Sequence, residues 1–217
     1  MLELLAALDA DACDACDGAA GAGAVVGGGG MGARLCVACL TEVPEHPESL
    51  RRLPDGVARG WRAAPYAGPV GALVRASKYG GRAAVGAALA RHAGAVAARA
   101  GVDTDVVVAV PSPWARTWWR GVDLPGHLAR EVASAVGVAR VNALVRRRWR
   151  AQAGLVHAAR DANARGAFGV RQGVDVRGAR ILLVDDVLTT GATASSCACA
   201  LLLAGACRVE VFVATAA

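Results

Sequence analysis

Two adjacent carboxylates, Asp185 and Asp186, stand where an apolar run meets a turn of small and hydroxyl-bearing residues. The segment at 181–193 reads Ile-Leu-Leu-Val-Asp-Asp-Val-Leu-Thr-Thr-Gly-Ala-Thr. A short continuous apolar run of this kind predicts a strand buried on both faces, as in a parallel sheet. Carboxylates at the end of such a strand are costly unless something compensates their charge. Ribose hydroxyls and a hydrated divalent cation are suitable partners. The turn that follows offers backbone N–H groups and the hydroxyls of Thr189, Thr190 and Thr193 at a helix start, which favours a phosphate. A ligand with a ribose diol on one side and a phosphate on the other fits both halves. The alternative is an ordinary strand–turn–helix whose acids cap the helix. The Ala- and Leu-rich stretch at 194–205 predicts that helix, closed by a glycine.

A second cluster lies near the N-terminus. Cys13 and Cys16 form one CxxC pair, Cys36 and Cys39 another, with 19 residues between the pairs. Each pair presents two sulfurs from one tight turn, and two pairs complete a tetrahedron. The spacing predicts a structural zinc site rather than disulfides. The stretch at 18–32 is nearly all Gly, Ala and Val and offers little for a core, so metal would hold the module together. Cys197, Cys199 and Cys207 read as small buried residues of the last helix and its end.

The elements that must position these groups follow from the rest of the chain. Helical patterns run over 68–77, 82–100 and 124–136, with Asp123 as a candidate N-cap and Pro125 in the first turn. Buried strands are expected at 105–111, 181–184 and 209–213, with a weaker one at 141–145. Residues 41–60 carry Pro44, Pro47 and Pro54 and read as a linker or irregular connection. Strands alternating with helices predict an α/β fold: a mainly parallel sheet flanked by helices. Ligands of such sheets sit beyond the strand C-termini, where Pro111 and the acid pair both fall. The expected organisation is a zinc module at 1–45, a linker at 46–60 and the α/β domain at 61–217.

Composition sets the outer limits. The 217 residues are 55% hydrophobic, with a mean hydropathy of +0.38, which excludes a disordered chain. No run of 18 apolar residues is present, so no membrane span is expected, and the N-terminus lacks the features of a secretion signal. Cytoplasm is the expected compartment. A formal charge of +6 favours anionic ligands, phosphates or nucleic acid alike. Lys78 is the sole lysine among 24 basic residues, which marks it as a candidate for a role arginine cannot fill. Trp114, Trp118 and Trp119 are interleaved with Arg116 and Arg120, and Trp149 lies within the basic run at 146–150. Such stretches can bind single strands through phosphate contacts and stacking, or can simply pack beneath loops. The four histidines are scattered, and neither a Ser/His/Asp triad nor a Walker A loop is present.

The 184–193 stretch resembles the 5-phosphoribosyl-1-diphosphate (PRPP) loop of type I phosphoribosyltransferases. The resemblance narrows when other motifs are read in order: the CxxC pairs, Lys-Tyr-Gly-Gly at 78–81, Val-Pro-x-Pro at 110–113 and Arg-Gly at 120–121. Further on, Gln152, Leu155, Arg160, Asn163, Ala167 and Phe168 follow the pattern Q-x2-L-x4-R-x2-N-x3-A-F. Together they resemble the ComF (GntX-type) family, whose members are linked to natural competence. The resemblance implies a type I phosphoribosyltransferase-like domain with a small zinc-ribbon-like module. It implies that Asp185 and Asp186 hold the ribose hydroxyls of PRPP with Mg2+, and that Thr189, Thr190, Gly191, Ala192 and Thr193 wrap the 5′-phosphate. Lys78 falls near the active-site hood, and Arg116 and Arg120 become candidate pyrophosphate contacts. Single-stranded DNA and a competence partner protein are the implied macromolecular partners. Two readings follow: a PRPP-binding protein serving DNA uptake, or an active enzyme transferring ribose 5-phosphate from PRPP to a nitrogenous acceptor. The family's Arg-Gly-Phe-Asn-Gln stands here as Arg-Gly-Val-Asp-Leu at 120–124, which favours the first.

Overall fold

The computed structural model describes residues 12–16, 25–26, 33–79, 83–112, 123–147 and 166–217. Its centre is a six-stranded sheet built on β9 (Arg180–Leu188) and β10 (Arg208–Ala216). The order is β3 (Glu48–Ser49), β4 (Arg59–Pro65), β10, β9, β5 (Val106–Ala109) and β6 (Ala139–Arg140). All neighbours run parallel except β3, which closes one edge antiparallel to β4. Two small antiparallel pairs stand apart: β1 (Val25–Val26) with β2 (Ala33–Arg34), and β7 (Leu144–Arg146) with β8 (Phe168–Val170). The expected α/β architecture is present, a mostly parallel sheet with helices on both faces.

One face carries α2 (Pro69–Tyr79), α3 (Ala83–Ala97) and α4 (Leu124–Val136). They bury Val74, Leu89, Val96, Leu128 and Val132 against Leu182, Val184 and Phe212. The other face carries α5 (Ala192–Leu203), which packs Cys197, Ala198 and Leu201 against Ile181, Leu183 and Val211. A short helix, α1 (Val37–Thr41), belongs to the N-terminal module. Alternation along β9 therefore sends 181 and 183 to one layer and 182 and 184 to the other, which is why every one of these positions is apolar. Glycine stops two helices as the sequence requires: Gly137 caps α4 at φ +77, and Gly205 follows α5 at φ +98.

The N-terminal ends of the strands are tied by charge. Arg180 pairs with Asp103 and Asp105, Arg208 with Asp103 and Glu210, and Arg59 with Glu210. Glu210 is fully buried between its two arginines, and Arg59 also lies 5.0 Å from the centre of the Trp61 ring.

Three expectations need correction. Strand β4 lies in a segment where no strand is expected, because Arg59 and Arg62 break its apolar pattern; their stems lie along the edge while Trp61, Ala63 and Ala64 face inward. The weak strand at 141–145 does not extend the main sheet: Ala139 and Arg140 form that edge, and 144–146 turn away to pair with 168–170. Of the three cysteines expected to be buried, only Cys197 is; Cys207 is exposed, and Cys199 lines a surface cavity.

Candidate functional site

Asp185 and Asp186 occupy the last turn of pleat in β9, beside Val213 of β10. Adjacent strand positions point to opposite faces, so the two acids straddle the sheet end. Asp186 looks toward the α2 layer, where Lys78 Nζ donates to its Oδ1 at 2.6 Å. Asp185 looks toward α5 and accepts the Asp186 backbone N–H at 2.8 Å. Burial raises the Asp185 pKa well above the ordinary carboxylate range, and the Asp186 charge raises it further, while the Asp186 N–H and Lys78 oppose the shift. One lysine thus serves two carboxylates. The residual negative charge suits a divalent cation or the hydroxyls of a sugar.

The turn after Leu188 has the form the sequence implies. Thr189, Thr190, Ala192 and Thr193 are exposed, whereas Gly191 is buried. Gly191 takes φ +79, where a side chain is strained, and a Cβ there would sit 3.2 Å from Pro54. It is the N-cap position of α5, so the free N–H groups of the first turn open toward the exposed threonines. The Thr190 hydroxyl accepts the Ala192 N–H at 3.4 Å, a weak contact that a stronger acceptor could displace. Acids on the sheet and N–H donors on the helix therefore lie within one strand–turn–helix unit, facing the strand C-termini.

The neighbouring mouth of the sheet holds a cavity of about 520 Å3 lined by Pro111, Ser112, Asp123, Arg140, Asn142 and Arg171. Asp123 stands at the N-cap of α4, but its side chain makes no cap hydrogen bond; Ser112 Oγ donates to it at 3.2 Å instead. Arg116 and Arg120, Trp114, Trp118, Trp119 and Trp149, and the 152–163 motif lie outside the described residues. Two contributors escape sequence reading altogether. Pro54 roofs Gly191 from a segment read as a connection, and the buried Thr215 of β10 places its hydroxyl 3.5 Å from the Asp186 carbonyl. Neither carries a local signal, since both act from distant positions.

The four cysteines converge as expected. Their sulfurs all lie within 4.8 Å of one another, and Cys16 and Cys36 Sγ are 3.8 Å apart. A tetrahedron with zinc–sulfur bonds of about 2.3 Å has edges of about 3.8 Å, so the residues fit zinc. The Cys36 N–H donates to Cys13 Sγ at 3.4 Å. Burial alone would raise the Cys13 thiol, but N–H donors from Cys36, Ala15 and Cys16 outweigh it and hold it below its ordinary value. Four thiolates around zinc would leave no open coordination position, as in a structural site.

No known protein-family model matches the chain, and no curated protein does. Among solved structures, the chain is similar to the allosteric regulatory enzyme of purine biosynthesis, at 26% identity over 60% of this chain and 26% of that one, with a TM-score of 0.45. The same values hold for glutamine PRPP amidotransferase from B. subtilis, solved with ADP and GMP. UMP synthase from Leishmania donovani matches at 20% identity over 64% of this chain and 22% of its own, with a TM-score of 0.35. The chain thus spans about a quarter of the length of these proteins. Among the described residues, no helix is long and apolar enough to cross a membrane.

Two outcomes test the site. Purified protein should hold one zinc per chain; a structural site of this kind contributes roughly 10–16 kcal/mol of apparent binding energy, so metal analysis of reduced protein will find it or refute it. The second concerns pH. A carboxyl whose folded pKa is raised favours the fold below its unfolded pKa of 3.8 and loses that contribution as pH rises toward the folded value. Asp185→Asn should therefore match wild type at pH 4 and exceed it in Tm at pH 8. About 3 °C is the expected gain, the shift that roughly 1 kcal/mol produces in a domain of this size. Equal Tm at both pH values would remove the buried-charge argument.

Proposed function

We propose that this chain is a ComF-like, PRPP-binding protein of the phosphoribosyltransferase type, serving the uptake of DNA in natural competence. The observation that carries the ligand reading is the straddling acid pair at the end of β9, continuous with an exposed Thr-Thr-Gly-Ala-Thr turn at the start of α5. Asp185 and Asp186 would accept hydrogen bonds from the two ribose hydroxyls. Thr189, Thr190 and Thr193, with the first N–H groups of α5, would surround the 5′-phosphate. Mg2+ would supply charge neutralisation at the diphosphate when bound. Lys78 Nζ lies 2.6 Å from Asp186 Oδ1 and would position that carboxylate for the sugar. Arg116 and Arg120 remain the proposed diphosphate contacts.

The DNA part of the reading rests on the ordered sequence motifs and on the interleaved Trp and Arg residues. Transfer to a nitrogenous acceptor is the alternative use of the same site: the C1–oxygen bond to pyrophosphate breaks as a nitrogen–C1 bond forms. A pyrophosphate-release screen across nucleobases separates binding from transfer.

Calorimetry with PRPP and Mg2+ tests the ligand. Asp185→Asn and Asp186→Asn should each weaken PRPP about ten- to a hundredfold, the equivalent of one charge-assisted hydrogen bond of roughly 1.5–3 kcal/mol. Unchanged affinity in both variants would remove the ribose assignment.

Single-stranded DNA should quench tryptophan fluorescence, with affinity falling steeply as salt rises. Trp118→Ala with Trp119→Ala should weaken the binding and keep the salt slope. Tight PRPP binding with no strand binding at low salt would turn the reading toward a small-molecule enzyme.

A further inference from the structure

Helix α2, which carries Lys78, is held between two cores. Val70 and Val74 face the sheet. Leu73, only 3% exposed, and Ala76 face the opposite way, into a third core made with Cys13, Leu35, Val85 and Ala88 and bordered by Cys36 and Cys39. That core is small, and three of its members are candidate zinc ligands. The outer face of α2 is therefore covered by a module whose own folding depends on metal.

An 11-residue helix has little stability of its own, so its position is set by what packs on it. At its N-terminal end it is pinned: a Cβ on Gly71 would meet the Tyr66 carbonyl oxygen, so helix and preceding loop touch there. Toward its C-terminal end, Lys78 lies five residues beyond Leu73, about 7.5 Å along the axis. Its contact with Asp186 is short, at 2.6 Å, and a displacement of about 1 Å would take it past hydrogen-bond range. Without Lys78, Asp186 loses the cation that positions its carboxylate, and the acid pair straddling the sheet end loses the one ammonium placed against it.

We propose that metal in the four-cysteine module sets the ligand affinity of the acid pair through α2, with Leu73 as the positioning residue and Lys78 as the contact it places. The proposal rests on the reading of the acids as a phosphoribosyl site. By linkage, metal and ligand must each raise the affinity of the other by the same factor.

The sole lysine makes the test direct. Acetic anhydride labelling of Lys78, followed by peptide mass analysis, reads its ion pair without any ligand. In the zinc-loaded full chain labelling should be slow. Chelation of zinc should speed it about tenfold, and calorimetry with PRPP and Mg2+ should show affinity falling by a similar factor. Leu73→Ala should reproduce both effects with zinc bound, and Leu73→Met should restore wild-type values. Labelling and PRPP affinity that are the same with and without zinc would overturn the proposal, whether or not Leu73→Ala folds. PRPP failing to bind the zinc-loaded chain would instead overturn the ligand reading and the affinity coupling with it. Lys78 labelling would in that case still show whether the module places the lysine.

Discussion

Two adjacent carboxylates at the end of a buried central strand are the constraint on which the rest of this molecule turns. The strand must be apolar to sit inside the sheet, yet its last residues carry charge that the interior disfavours. Strand alternation divides the problem by sending Asp186 to one face and Asp185 to the other. Lys78 answers one of them directly and the other only in part. The arrangement is costly as it stands, and a cation or hydroxyl donors at the acid pair would offset that cost. That asymmetry sets the acid pair apart from the charge network at the other end of the sheet, where Asp103, Asp105 and Glu210 are each matched by arginine.

The layers around the acids follow from this requirement. Helix α5 is built from Ala, Ser, Cys and Leu and lies close on the sheet, so its N-terminus comes directly beneath the turn that follows β9. Gly191 shapes that turn, since its left-handed backbone would strain a side chain and Pro54 would crowd one. On the other face α2, α3 and α4 form a wider layer, with Lys78 at the edge nearest the acids. The chain has few aromatic residues for its size, and its cores are filled by Val, Leu and Ala packed closely rather than by large rings. The four-cysteine cluster complements this economy. A metal held there would supply cohesion where the N-terminal sequence has almost no side-chain volume, and the residues around the cluster add a third core to the outside of α2.

Much of the architecture was open to reading from the residues alone. Helix α4 falls at 124–136 as its pattern predicts, the last helix begins within two residues of its expected start, the apolar runs at 181–184 and 209–213 lie in the sheet, and of the run at 105–111 residues 106–109 do. These succeed because buried parallel strands and small-residue helices leave continuous, local signatures. Strand β4 fails that test. It is an outer strand with arginines at its margin, and only pairing with β10 makes it a strand. The 144–146 segment fails differently: its apolar content is real, but its partner is 168–170, which no local pattern names.

Sequence by itself determined the chemistry available to this protein: the acid pair, the hydroxyl-rich turn, the two CxxC pairs and a single lysine. These are properties of residue type and short spacing, and a covalent chain keeps them together. Tertiary structure alone decided how they are combined. It brought Lys78 onto Asp186 across 108 positions, set Pro54 over Gly191, and laid the cysteine module against the helix that carries the lysine. Those contacts depend on which faces meet when the sheet and its layers close, and that is settled by packing over the whole domain rather than by any one segment.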